Sequence, residues 1–336
     1  MGSIWRQARQ WLPGIIVSLF ALYLVFHLAR WDEVGPALRA IDWRYLLPAI
    51  IVFLVSMLAR VAAWWILLQR KASYSRTFLI LNIGYLLNNL FPFRLGELGR
   101  AVLMGEESKT TPFFVLSTIM LERAIDLLMA ACLLLLTLPL VLGVDWAGPL
   151  ALGTLATVII GFITLYLLSR TRARWRPHLD RWFGRWSLVT GTLLPWFDSL
   201  LDGFAVLTNP LQFVLAVLML GLSWVLAVVQ YYLLLRGVTP VAAFWWAAFV
   251  LGIAAFGVAL PSAPASLGVY EASVVGAFAL LGLPAASALA YAVTAHLIHF
   301  VITGVIGLYG LYIEGSTLNG IYQKVRGFRL NTTAET

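Results

Sequence analysis

Charged residues are scarce in this sequence: Asp, Glu, Lys and Arg together make up 11% of it, against roughly 25% in an ordinary soluble domain. With a mean hydropathy of +0.90, that shortage excludes a solvated globule. Cysteine is nearly missing too. Cys132 stands alone inside an apolar run, which excludes an intrachain disulfide and argues against a catalytic thiol. There is no HExxH and no Cys-rich spacing, so nothing supports a metal site. No small-residue cleavage site follows the apolar stretch 12–28 behind Arg6 and Arg9, so we expect a retained signal-anchor helix. Acidic residues are outnumbered, giving a net charge of +8. The excess basic residues lie in short loops between apolar runs. They therefore report topology and lipid contact, not nucleic-acid binding.

What is present is a series of long apolar runs. Spans are expected at 12–29, 46–69, 113–142, 148–168, 210–235 and 286–312, each at or near the ~18 residues that mark a transmembrane helix. Two more apolar regions, 77–104 and 241–283, are interrupted by proline and glycine. The loop 170–185 carries six arginines, whereas the turn 143–147 has no Lys or Arg. The positive-inside rule places that loop, and the tail with Lys324, Arg326 and Arg329, in the cytoplasm. In the same loop Trp175, Leu179, Trp182 and Trp186 share one helical face. Arg174, Arg181 and Arg185 lie towards the other, the pattern of a cytoplasmic interfacial helix over about 172–200.

The order of elements repeats. A span, an interrupted region and a span fill about 46–142, and the same series fills about 210–312. The expected topology starts the first unit outside and the second inside. Inverted repeats with broken helices are the sequence signature of transporters, whose sites lie at the repeat interface. Irregular backbone at membrane depth is tolerated only in protein or beside a wet cavity. The breakers Asn89, Pro92 and Gly96, and then Pro261, Pro264 and Gly268, are therefore expected to shape two re-entrant hairpin tips beside such a cavity. The fold class follows: an all-α polytopic membrane protein with six or more transmembrane helices and two Pro/Gly-broken re-entrant hairpins in an inverted repeat.

Ionisable residues at membrane depth cost ~2.5–3.5 kcal/mol on insertion scales and so ask for a reason. They are Arg60, Arg94, Glu97, Arg100, Glu122, Arg123, Asp126, Glu271, His296 and His299. Arg94, Glu97 and Arg100 are spaced by three, so on a helical turn the acid can pair with either base. Glu122 and Asp126 share a face with Arg123 beside them. Mutual neutralisation in buried helices is the plain alternative to a binding role. Arg60 suits snorkelling or a structural pair as well as a substrate contact. His296 and His299 could face one cavity, or simply be hydrogen-bonded.

At these residues the chain resembles a known family. N-x-x-P-x-R-x-G-E-x-x-R (Asn89, Pro92, Arg94, Gly96, Glu97, Arg100) precedes E-R-x-x-D (Glu122, Arg123, Asp126), and P-x-x-x-G-x-x-E (Pro264, Gly268, Glu271) comes later. Together they resemble the membrane domain of the lysylphosphatidylglycerol synthase/flippase family over about residues 12–314. Where the family pattern shows glycines after the second proline, this chain has Ala265 and Ser266. The chain ends soon after Glu314, so the stand-alone form without the synthase domain is expected, with cytoplasmic tails at 1–11 and 315–336. The resemblance implies lipid translocation in the cell (inner) membrane. Arg94, Glu97, Arg100, Glu122, Arg123, Asp126 and Glu271 match motif positions and are the implied substrate-binding set. The expected ligands are lipids with anionic or zwitterionic headgroups. No cofactor and no nucleic acid are expected, and a homo-oligomer is left open. Two other classes stay open as well: an intramembrane lipid-modifying enzyme, and a membrane scaffold for an envelope-synthesis complex.

Overall fold

A computed structural model describes residues 16–23, 25, 27, 31–91, 94–143, 147–183, 186, 193–260 and 262–334. Pro92 and Pro261, both ends of the first expected span, and the middle of the 143–147 turn lie outside them. The described residues are helical, with no strand among them. After a short α1 (Trp31–Arg39), the first repeat unit comprises α2 (Leu46–Leu67), α3 (Tyr74–Leu90), α4 (Leu95–Glu107) and α5 (Pro112–Leu142). A lateral section follows with α6 (Ala147–Arg170), α7 (Arg172–Phe183) and α8 (Leu194–Phe204). The second unit comprises α9 (Pro210–Val238), α10 (Phe244–Ala259), α11 (Val269–Leu280) and α12 (Ala285–Ile313), and α13 (Leu318–Ala334) closes the chain.

Five helices among the described residues are long and apolar enough to cross a membrane: Trp43–Leu67, Pro112–Leu142, Leu152–Arg170, Pro210–Val238 and Ala285–Ile313. They coincide with five of the six expected spans. Their starts are set by local chemistry. Thr111 and Asn209 each cap a helix whose first residue is proline, accepting from the backbone N–H of Phe114 (3.1 Å) and Gln212 (3.2 Å). Gly143, in the left-handed region at φ 61°, stops α5.

The interrupted regions are helical hairpins. α3 and α4 have 17 and 13 residues, and α10 and α11 have 16 and 12. All fall short of the ~20 residues that span a bilayer, and the arms of the first lie antiparallel, Gly84 against Arg100 and Asn88 against Gly96. Close approach holds the first hairpin together. A Cβ on Gly96 would lie 1.9 Å from the Gly84 carbonyl oxygen, and Asn88 Oδ1 accepts the Gly96 N–H at 2.8 Å.

The two units pack reciprocally. α2 runs antiparallel to α9: the Asp42 N–H donates to the Gly237 carbonyl (2.9 Å) just before α2, and Ser56 Oγ donates to the Ser223 carbonyl (3.0 Å) at mid-helix. The first arm of each hairpin then lies on the last span of the other unit. α3 follows α12 from the Arg76–Glu314 ion pair (2.5 Å) to the Asn89–Thr303 bond (3.1 Å). α10 packs on α5 where Gly252 meets Leu134. This exchange is the geometry of an inverted repeat. Leucines and isoleucines on the outer faces, such as Leu136, Leu152, Ile160 and Leu218, are exposed as lipid contact requires.

The expected interfacial helix is two helices. Arg172 pairs with Asp198 (2.9 Å) and Asp202 (2.5 Å), and Arg176 with Asp198 (2.9 Å), tying α7 to α8. The tryptophan stripe divides along its length. Trp175 turns inward against Phe197 and donates to the Leu168 carbonyl, whereas Trp182 and Trp186 are exposed.

Candidate functional site

Where the hairpin tips approach each other, between α2, α5, α9 and α12, lies a cavity of about 600 Å³. Asn89, Arg94 and Glu97 from the first tip and Ala265 and Ser266 from the second border it. The chain bends sharply at both. Arg94 is left-handed at φ 51°, as are Ala265 (φ 56°) and Ser266 (φ 57°). The latter two hold a backbone shape that ordinarily favours glycine, at a cost of about 1–2 kcal/mol per residue for L side chains. Gly268 needs its own freedom. It sits at φ +83°, and a Cβ there would come within 2.8 Å of Leu22 and of the Ser18 carbonyl oxygen. Arg94 Nη2 donates to the Val258 carbonyl at 2.6 Å, linking the first tip to the second hairpin.

One wall is ionic. Arg60 from α2 grips Asp126 of α5 with both prongs of its fork, Nη1 to Oδ2 and Nη2 to Oδ1, each at 2.9 Å. Such bidentate pairing gives the strongest charge-assisted bonds. Trp224 Nε1 also donates to Asp126 Oδ1 at 2.8 Å. Behind this wall Glu122 is fully buried among three arginines: Arg100 at 2.7 Å, Arg123 at 2.8 Å and Arg60 at 3.1 Å. Arg100 is buried as well, its guanidinium 3.8 Å above the Trp64 ring centroid. Neither Arg100 nor Glu122 reaches the cavity surface. The spacing of three left Glu97 free to choose either neighbour, and it pairs with Arg94 and not Arg100. The contacts are loose: 3.7 Å to Arg94 Nη1 and 3.9 Å to Arg123 Nε.

The opposite wall is polar but nearly uncharged. His296 and His299, one turn apart on α12, both face the cavity, with Tyr231 and Gln230 of α9 and Tyr270 of α11. They are hydrogen-bonded there too. His299 meets Gln230 at 3.2 Å and lies against the Phe53 ring, 4.2 Å between centroids. His296 Nδ1 meets Glu271 Oε1 at 2.5 Å. Glu271 is itself a capping group, its Oε2 accepting the Gly268 N–H at 2.7 Å at the start of α11. Among the described residues no cluster of three or more His, Cys, Asp or Glu could hold a metal ion.

The folded chain thus gathers every one of the expected ionisable residues into one site, on different layers of it. Arg60, Arg94, Glu97, Arg123, Asp126, His296 and His299 line the cavity, and Arg100, Glu122 and Glu271 support the lining groups. Trp224, Gln230 and Asn88 were missed. Gln230 is a polar side chain in an apolar run and was detectable on that ground. Trp224 was not, because a tryptophan in a span reads equally well as lipid-facing.

The chain matches the Lysylphosphatidylglycerol synthase TM region over residues 11–307. None of the curated proteins compared with it matches. The match takes in the first repeat unit, all but the end of the second and the whole cavity, and it gives the protein a membrane-lipid-related role: the chain belongs to the family of lysylphosphatidylglycerol synthase transmembrane regions.

Proposed function

We propose that the protein moves a phosphate-bearing lipid between leaflets, its headgroup passing through the cavity between the two hairpins. One observation carries this reading. Arg94 and Arg123 stand on the cavity wall with side chains 40% and 35% exposed; Glu97 lies between them at 3.7–3.9 Å, while Arg123 is also held from behind by Glu122 at 2.8 Å and Asp126 at 3.4 Å. Direct charge-assisted bonds measure ~2.7–2.9 Å, so both forks keep unused donors. Arg123 Nε, buried, has no hydrogen-bond partner. Two permanently charged, planar donors with spare capacity suit a phosphodiester, which binds arginine bidentately. The motif positions include Arg94, Arg100 and Arg123. The geometry favours Arg94 with Arg123, because Arg100 is turned into the protein against Glu122. Glu97 then holds the two cations in place until a headgroup displaces it.

Basic residues gather where α2 ends and α3 begins (Arg70, Lys71, Arg76) and where α6 runs into α7 (Arg170, Arg172, Arg174, Arg176). This supports placing that end, with the chain termini, in the cytoplasm of a cell-membrane protein.

The test is a leaflet-resolved lipid assay in liposomes carrying purified protein, with melting curves to set aside unfolded variants. We expect Arg94→Lys to retain part of the flipping rate and the Arg94→Gln, Arg123→Gln double variant to lose at least tenfold. Wild-type flipping in a well-folded double variant would refute the phosphate seat. Recovery of a chemically altered lipid would make the protein an enzyme instead.

A further inference from the structure

The charges described around the cavity cancel. Arg60, Arg94, Arg100 and Arg123 stand against Glu97, Glu122, Asp126 and Glu271, so with both histidines neutral the site has no net charge. An anionic headgroup entering it would bring one unbalanced negative charge into a setting that penalises unpaired charge. A proton taken up with it would restore the balance, and among the described residues around the cavity the two histidines are the groups that become cations by gaining one. Arginines are already protonated. Glu122 and Asp126 are saturated by arginine forks at 2.7–3.1 Å. The Gln230 amide nitrogen faces His299 Nε2, making that nitrogen an acceptor within a ring packed on Phe53. His296 differs. Its Nδ1 is committed to Glu271, and the ring borders the cavity.

We infer that the site takes up one proton, at His296, with each monoanionic phosphodiester lipid it binds. The inference rests on the translocation reading above. In the lipid-free state Nδ1–H donates to Glu271, and the pair carries one negative charge. A proton from water added at Nε2 makes an imidazolium, the pair becomes neutral, and the cavity gains the one positive charge that the phosphate requires. The other groups facing the pair are Tyr270, whose ring centroid is 5.1 Å from that of His296, Tyr231 bonded to it at 3.0 Å, and His299 on the same helix. Arg60, Arg94, Glu97, Arg123 and Asp126 line the same cavity. Asp32, Glu33 and Arg39 belong to α1, which meets α12 at Ala286 and Leu289, about two turns from His296.

Calorimetric titration of the full chain near neutral pH, in buffers of different ionisation enthalpy, counts the protons. With dihexanoylphosphatidylglycerol we expect uptake of about one proton per lipid, and affinity falling about tenfold per pH unit over the pH range in which that uptake is seen. Dihexanoylphosphatidylcholine, with no net charge, should bring none. The His296→Gln variant keeps a donor to Glu271 and should bind phosphatidylglycerol more weakly, with no uptake and no pH slope. Phosphatidylglycerol binding without proton uptake overturns the inference and leaves translocation standing. Failure of both lipids to bind overturns both. Uptake persisting in a folded His296→Gln variant overturns the assignment to His296. If that variant does not fold, the wild-type count against the phosphatidylcholine control decides.

Discussion

Carboxylates a few ångströms apart have very different tasks here. Glu122 is enclosed by Arg60, Arg100 and Arg123, all within 3.1 Å, and has no exposed surface. Removing one charge from a buried network leaves its partners uncompensated, at a cost of about 3–5 kcal/mol. Glu122→Gln should therefore lower the melting temperature sharply in detergent. Glu97, 27% exposed with its nearest nitrogens at 3.7–3.9 Å, should tolerate Glu97→Gln with a loss below about 1 kcal/mol. Its effect should fall on transport. Equal melting curves for the two variants would show that Glu122 does not anchor the wall. At this scale the motif E-R-x-x-D grouped residues that meet in one ionic cluster, but its spacing could not tell a buried anchor from a cavity-facing group. That depends on which helix covers each face.

At the scale of elements, the first hairpin depends on backbone contact. A Cβ at Gly96 would fall 1.9 Å from the Gly84 carbonyl oxygen and 2.7 Å from Asn88 Oδ1, and a backbone oxygen cannot rotate away. Gly96→Ala should push the arms apart, cost about 3 kcal/mol by the scale of overpacking, and displace the Arg94 tip. Gly276 in α11 has nothing within 4 Å of the corresponding position. Gly276→Ala should be neutral or stabilising by about 0.5–1 kcal/mol, since alanine is the better helix former. Thermal melts of both proteins check the contrast, and an unperturbed Gly96→Ala protein would contradict the close packing. The breaker residues were legible as a hairpin signal, because proline and glycine act on their own backbone. The arms' antiparallel contact and the left-handed turn at Ala265 and Ser266 were not, because neither residue type asks for that conformation.

For the molecule as a whole, the reciprocal packing of the two units has a consequence for sidedness. Lys109 closes the open end of the first hairpin, and Gly282 closes that of the second at the opposite ends of the spans. In a Cys132→Ser background, single cysteines at these positions should react with an impermeant maleimide from opposite faces of the membrane. Lys109→Cys should react from the cytoplasmic face. Labelling of both from one face would rule out the inverted arrangement.

What the sequence determined by itself was everything that depends on short stretches of chain. Apolar length located five described spans, because crossing a bilayer imposes a minimum run of residues whatever the neighbours are. Charge at membrane depth marked the residues that gather around the cavity, because such groups are costly to place there. The repeated order of elements implied two units of opposite orientation. Tertiary structure alone decided how those residues divide their work. Arg100 could turn from Glu97 to Glu122 because α5 brings a carboxylate to 2.7 Å. Glu271 became a cap and a histidine partner because α12 crosses beside the second tip. Arg94 and Arg123, on different helices, became neighbours around Glu97 only when α4 packed on α5. Each of these outcomes joins side chains brought together by helix packing, and no local pattern carries that information.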